Sequence, residues 1–324
     1  MQIFMAGGIS GNLSSFWKKL YYELNNDNSY ENSIDKVMKI FLAGTYSRSW
    51  LLDPISEESK KNELDRDNNE NQKSEENLKI FLAGGYPNGK KNYIEIIQNY
   101  RPYILESFYY ADTDIERLIP YFGDFLLDSG AFTFISNKGN SVDWNEYIEK
   151  YAEFIKRNKV KKYFELDIDS VVGYEQVKEF RNKLEKLVGY QCIPVWHKNR
   201  GIKEYMKHCD EYPYVGVGGY VINELTPNDY KAFPSMIQYA HKKSAKVHCL
   251  GFTRLSDLSK YHFDSVDSTA WTTGNRFGYV YYFDGKTMKK RNAPDNHRLA
   301  DSRMTALHNY TEWIKFQIYA DKYF

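Results

Sequence analysis

Eight short apolar runs recur from residue 79 onward, at 79–84, 103–110, 124–128, 162–168, 191–196, 214–218, 246–251 and 264–268. Amphipathic stretches lie between most of them, among them 143–158, 174–188, 201–209 and 227–243. Short apolar runs between turn residues read as strands, and longer stretches with apolar residues every three or four positions read as helices. This alternation over about 200 residues predicts an α/β chain with a parallel sheet, and eight units fit a (β/α)8 TIM barrel. An open doubly wound sheet is the alternative. The barrel is preferred because polar, glycine-flanked residues fall at the carboxyl ends of so many strands, where barrel active sites lie.

The segment before residue 79 has a different organisation. Gln2–Gly8, Lys39–Thr45 and Lys79–Gly85 are near copies of an Ile-Phe-(Leu/Met)-Ala-Gly run, each a short strand stopped by glycine. The third copy is read as the first strand of the barrel. The first two form an N-terminal extension with the polar stretch 56–77, which reads as an exposed or disordered loop. The expected division is an extension at 1–78, a catalytic barrel at 79–285 and a basic, helical C-terminal segment at 286–324 that packs on the barrel. Without a GxGxxG pattern or a P-loop Lys, the glycines give little support for nucleotide binding.

Composition limits the class of protein. With 29 Tyr and 19 Phe against 9 Pro, and 42% hydrophobic residues, the chain has ample material for a core. No apolar run is long enough to span a bilayer, and the N-terminus lacks the basic flank and long apolar stretch of a signal peptide. Cys192, Cys209 and Cys249 stand far apart, with no zinc-ligand spacing. A reduced cytoplasmic protein without a metal is expected. The net charge of +1 excludes a globally basic nucleic-acid binder but leaves room for a local basic patch.

The strand ends collect the polar residues that can carry chemistry. They are Asp128-Ser129-Gly130, Glu165-Leu166-Asp167-Ile168-Asp169, Trp196-His197, Gly218-Gly219-Tyr220, His248-Cys249-Leu250-Gly251 and Asp267-Ser268-Thr269. Asp128 and Asp267 each follow an apolar run and precede Ser. A strand-end Asp equally serves as a helix cap or turn former, but two in the same context suggest one site built from separate strands. Strict alternation would put Glu165, Asp167 and Asp169 on one side, pointing into the barrel. His197 and His248 read as structural hydrogen-bonders or site residues. Gly218 and Gly219 read as a turn, or as bare backbone on which a flat ligand can lie. A hydrolase metal site is weakly supported, because Ala83-Gly84-Gly85 stands where an HxH pair would be needed. Asp128 and Asp267 also suit glycoside hydrolysis, whereas Ser129 and Ser268 lack the G-x-S-x-G context of a serine nucleophile.

Taken in order, Asp128-Ser129-Gly130-Ala131-Phe132, Leu166-Asp167, Gly218-Gly219, His248-Cys249-Leu250-Gly251 and Asp267-Ser268-Thr269-Ala270-Trp271 resemble the motifs of the tRNA-guanine transglycosylase superfamily. The match is closer to its phage and genomic-island branch, the DNA 7-deazaguanine transglycosylases (DpdA-like proteins), and covers residues 79–275. The resemblance implies a (β/α)8 barrel that exchanges guanine for a 7-deazaguanine such as preQ0, with no cofactor. It makes Asp267 the nucleophile toward C1′ and Asp128 the general acid/base. Asp167, with Asp169 as fallback, would read the donor edge of the purine. Ser129, Gly218 and Gly219 would complete base recognition, with Phe132 or Tyr220 stacking on the ring of a flipped base. His197 stands where the tRNA enzymes carry a Gln-Gly-Gly contact and would meet a different base substituent, with His248 in the same pocket.

The tRNA enzymes have a Cys/His zinc subdomain after the barrel that this chain lacks, which favours DNA over tRNA as substrate. Lys289, Lys290, Arg291 and Arg298 are the candidate phosphate contacts, unless they form an ordinary solvated face. The basic stretch 156–162 reads as a helix end facing solvent. Members of the superfamily commonly work as dimers, so a homodimer is an expected assembly. A phage protein acting in the host cytoplasm is the matching location. A tRNA-guanine transglycosylase, a carboxylate-based nucleosidase or glycosidase, and a non-catalytic nucleic-acid-binding barrel are the competing readings.

Overall fold

A computed structural model describes residues 77–87, 92–130, 133, 143–252, 254–277, 279–292 and 302–324. The first two glycine repeats, nearly all of the polar stretch 56–77, Phe132 and Arg298 lie outside these residues. The centre of the fold is a parallel sheet of β1 (Lys79–Ala83), β2 (Tyr103–Ser107), β3 (Asp124–Asp128), β4 (Val195–Trp196), β5 (Tyr214–Val217), β6 (Lys246–Cys249) and β7 (Ser265–Ser268). Their spatial order is β3-β2-β1-β7-β6-β5-β4. The sheet curls, and its two edges meet through the segment at 163–164. Leu127 of β3 bridges Tyr163, and Phe164 bridges Ile193 just before β4, both in parallel sense.

Helices connect the strands. In chain order they are α1 (Asn92–Tyr100), α2 (Thr113–Leu118), α3 (Trp144–Arg157), α4 (Asp169–Val172), α5 (Tyr174–Val188), α6 (Ile202–Glu211), α7 (Phe233–Lys242), α8 (Leu258–Tyr261) and α9 (Ala270–Phe277). An antiparallel hairpin, β8 (Tyr279–Phe283) with β9 (Met288–Asn292), follows, and then α10 (Ser302–Tyr323). Local chemistry sets several boundaries. The Asp112 and Asp143 carboxylates accept backbone N–H bonds in the first turns of α2 and α3, as helix caps do. Gly189, left-handed at φ +97°, ends α5. No described helix is long and apolar enough to cross a membrane.

Two apolar clusters follow from the strand pleat. Ile80, Leu82, Ile104, Leu127 and Val266 face the helices and join the larger core. Phe81, Ala83, Tyr103, Leu105, Leu126, Phe164, Ile193 and Val195 form a separate cluster inside the curl. At the amino ends of the strands, Asp124 accepts bonds from Lys79 (3.2 Å) and Lys162 (2.5 Å). Burial alone would raise the Asp124 carboxyl, but the two ammonium groups hold it below its usual range. Lys162 is therefore no solvent-facing helix end, as the basic stretch 156–162 suggested. It follows α3 by several residues and turns toward Asp124.

Side chains take over where strand pairing stops. Pairing of β1 with β2 begins only at Leu82 opposite Ile104. Below that, the Gln317 amide of α10 donates to the Ile80 and Tyr103 carbonyls and accepts from the Tyr103 N–H. On the opposite side the Tyr151 hydroxyl of α3 reaches the Leu127 and Phe164 carbonyls. An unpaired buried peptide group costs about 1–3 kcal/mol. Gln317→Leu is therefore expected to lower unfolding stability by roughly 2–4 kcal/mol, measured as a lower urea midpoint with an unchanged slope. A change within experimental error would show that the three groups find other partners.

Candidate active site

The carboxyl ends of the strands bring three carboxylates within electrostatic reach of one another. Asp128 closes β3, Asp167 follows the 163–164 segment and Asp267 lies in β7. Burial raises the Asp128 carboxyl to about 6, and the charges of Asp167 and Asp267 push in the same direction. The Gly130 N–H donates to Asp128 Oδ2 at 2.8 Å and partly offsets the rise. Gly130 itself must be glycine. Its φ is +77°, and a Cβ there would lie 2.6 Å from Tyr109 Cβ. Ser129 is fully buried, and its carbonyl accepts from the Tyr147 hydroxyl at 2.6 Å.

Asp267 is held from one side. Its Oδ1 accepts the Gly251 N–H at 2.6 Å and lies 3.2 Å from His248 Nε2. His248 is fully buried between the rings of Phe81 and Phe164. It therefore lies beneath the carboxylate rather than open at the mouth. Ser268 Oγ accepts the Ala270 N–H at the start of α9.

The expectation that Glu165, Asp167 and Asp169 point into the curl fails at Glu165. Phe164 belongs to the inner cluster, so Glu165 faces out. The strand stops there because the Glu165 carboxylate, rather than its carbonyl, accepts the Val195 N–H at 2.8 Å. Wholly buried, Glu165 is paired with Arg181 of α5 (2.6 Å) and with Arg200 (3.0 Å). Arg200, in the turn after β4, also meets Asp167 at 3.3 Å and Asp169 at 3.0 Å, while its guanidinium stacks 4.4 Å over Tyr174. Burial would raise Asp169, yet Arg200 holds it below its usual value. Asp169 is thus committed to Arg200, and Asp167 is the more exposed of the two carboxylates.

His197 sits between carboxylates. Nε2 lies 2.8 Å from Asp167 Oδ2 and Nδ1 lies 2.7 Å from Glu224 Oε2. Burial opposes its charge, but the two carboxylates win and lift it to about 9. At neutral pH it is an imidazolium with both N–H groups spoken for. The glycine pair makes room for this arrangement. A Cβ on Gly218 would stand 2.6 Å from His197 Nε2, and one on Gly219, at φ +85°, would stand 2.7 Å from Glu224 Oε2. The space beside Gly218 is filled by the His197 ring. Tyr220 packs edge-on against Phe252 at 5.0 Å.

Arg200, Glu224 and Glu106 were not singled out from the sequence. Three acids in five residues required buried cations, which was the available signal for Arg200. Glu106 of β2 is buried against Gly85, and burial raises it to about 7, with Asp112 and Asp128 adding to the rise. On the hairpin, Lys290 lies over the rings of Tyr279 (4.6 Å) and Tyr281 (5.4 Å). Lys289 and Arg291 occupy the alternate positions, opposite Tyr282 and Val280. Lys289 lies 3.7 Å from Asp284.

Gly218→Ala is expected to push the His197 ring off Asp167. The His197 titration, followed by NMR, should fall from about 9 toward the ordinary value of about 6.5. An imidazolium bonded to both carboxylates stabilises the fold fully below the ordinary value, and this is lost as pH rises through about 9. The stability deficit of the variant should therefore be largest below about pH 6.5 and shrink as pH rises through about 9. An unshifted His197 would contradict the packing argument.

No protein-family model matches the chain, and no curated protein matches it. Among solved structures it is similar to QR15, an aldolase, at 12% identity and a TM-score of 0.41, over 59% of this chain and 90% of that one.

Proposed function

We propose that the bridged sheet is a (β/α)8 barrel and that its mouth exchanges guanine for a 7-deazaguanine base in DNA through a covalent Asp267 intermediate. The observation that supports this most is the unequal setting of the carboxylates at one mouth. Asp128 is raised to about 6 by burial and by its two neighbours, which suits a group that must give and take a proton near neutral pH. Asp267 has two donors on Oδ1, which leaves Oδ2 to attack C1′ as guanine leaves with the proton of Asp128. The incoming base returns a proton to Asp128 and displaces Asp267 from the sugar.

Base reading in this proposal falls to Asp167. His197 and Arg200 bond to its two oxygens, and remaining lone pairs can accept from a purine N1–H and exocyclic amine. His197, with both nitrogens bound to carboxylates, acts by orienting Asp167. Phosphate contacts fall to the outward cations of β9, Lys289 and Arg291, with Lys290 held against the tyrosines. Two chains per functional unit is the proposed assembly.

The test is base exchange on DNA carrying labelled guanine, with and without a 7-deazaguanine base. Label release with incorporation supports the proposal; release without incorporation indicates a hydrolase, and no release excludes both. Asp128→Asn should abolish exchange yet stabilise the fold at neutral pH. A raised carboxyl holds a proton in the native state that the unfolded chain has lost, so its ionisation destabilises as pH rises toward and through about 6. The gain in the variant should be roughly 1–3 kcal/mol at neutral pH and vanish near about pH 4, measured by thermal unfolding across pH. For DNA affinity against salt, Lys289→Ala and Arg291→Ala should each reduce the slope by about 1, and Lys290→Ala by less.

A further inference from the structure

Beneath Asp267, side chains from three neighbouring strands stand in line. Tyr214 Oη of β5 lies 2.5 Å from Ser265 Oγ of β7. Ser265 Oγ lies 2.6 Å from His248 Nδ1 of β6, and His248 Nε2 lies 3.2 Å from Asp267 Oδ1. His248 and Ser265 are buried, and the Phe81 and Phe164 rings flank the imidazole.

Hydrogen counting gives this chain one direction when the imidazole is neutral. A carboxylate only accepts, so Nε2 carries the hydrogen and donates to Asp267. Nδ1 then only accepts, and the Ser265 hydroxyl donates to it. The Ser265 oxygen accepts in turn from the Tyr214 hydroxyl. We propose that Tyr214, Ser265 and His248 form a one-directional relay that fixes His248 as its Nε2–H tautomer and orients the Asp267 carboxylate, which makes all three positioning residues for the nucleophile.

The catalytic consequence rests on the transglycosylase reading; the tautomer does not. As the Oδ2–C1′ bond forms, the C1′–N9 bond breaks, its electron pair goes to N9, and N9 takes the Asp128 proton. On return, N9–H of the new base gives its proton to Asp128 and its nitrogen bonds to C1′. The Oδ2–C1′ pair goes back to the carboxylate. His248 and the Gly251 N–H meet the charge that re-forms there without having to move.

Long-range proton–nitrogen correlation spectra of the full chain, labelled at histidine, read the tautomer directly. The His248 signals are assigned by their absence in His248→Gln. The relay requires a protonated Nε2 and a bare Nδ1, with the preference lost in Ser265→Ala. An Nδ1–H tautomer or an imidazolium in the unsubstituted protein overturns it, whatever the enzyme does.

In exchange kinetics, Ser265→Ala should lower kcat about tenfold and Tyr214→Phe about threefold, with KM for DNA unchanged. His248→Gln, whose amide nitrogen reaches the place of Nε2, should retain more activity than His248→Ala. A rise in KM at constant kcat, or equal loss in both His248 variants, contradicts a positioning role. If the unsubstituted protein exchanges no base, the transglycosylase reading falls and the tautomer still decides the relay.

Discussion

Arg200 carries the charge balance on which the mouth of the sheet depends. Its guanidinium, with the side chain only 1% exposed, meets Glu165, Asp167 and Asp169 together. Arg181 completes the pairing of Glu165, and His197 that of Asp167 and Glu224. Buried carboxylates left without cations would cost several kcal/mol each or take up protons. With Arg200 in place, Asp167 is held in a fixed direction at the opening. The same guanidinium bonds the Val195 carbonyl, so the cation that balances the site also fastens it to the sheet.

A second constraint is geometric. The sheet joins its edges with very few backbone rungs, and polar side chains fill the places of missing ones. Glu165 accepts the Val195 N–H, Gln317 occupies the gap below the β1–β2 pairing, and Tyr151 reaches the carbonyls of Leu127 and Phe164. Each also carries part of its own helix–strand contact, which couples packing on the outside to the positions of the strand ends. Asp128, one residue beyond Leu127, is placed by that stitching.

The sequence reached furthest where periodicity and glycine punctuation were strong. The run 174–188 coincides with α5, and the run 124–128 with β3. It failed where a side chain interrupts the pattern. Alternation carried through 162–168 assumed a continuing pleat, but the Glu165 carboxylate ends the ladder and the following residues turn away. The role of Gly218 was hidden for another reason. A glycine can make room for a ligand or for a neighbouring side chain, and only the position of His197 in three dimensions shows which. Arg200 and Glu224 lie 31 and 27 residues from their partners Asp169 and His197, so no local pattern links them. The cluster Glu165, Asp167 and Asp169 was legible as a group of acids on one strand end; the cations that balance it were not.

The proposed chemistry turns on the asymmetry between two aspartates in similar local sequence. Burial, and after it neighbouring charge, favours the protonated form of Asp128, while Asp267 is gripped at one oxygen and left with the other. The most direct measurement is to stop the reaction with guanine-containing DNA by acid in the absence of a 7-deazaguanine base, digest the protein and map the peptide that carries a nucleotide. The added mass is expected on Asp267 and is expected to be absent in Asp267→Asn. An adduct on Asp128, or exchange that proceeds with no adduct on either residue, would contradict it.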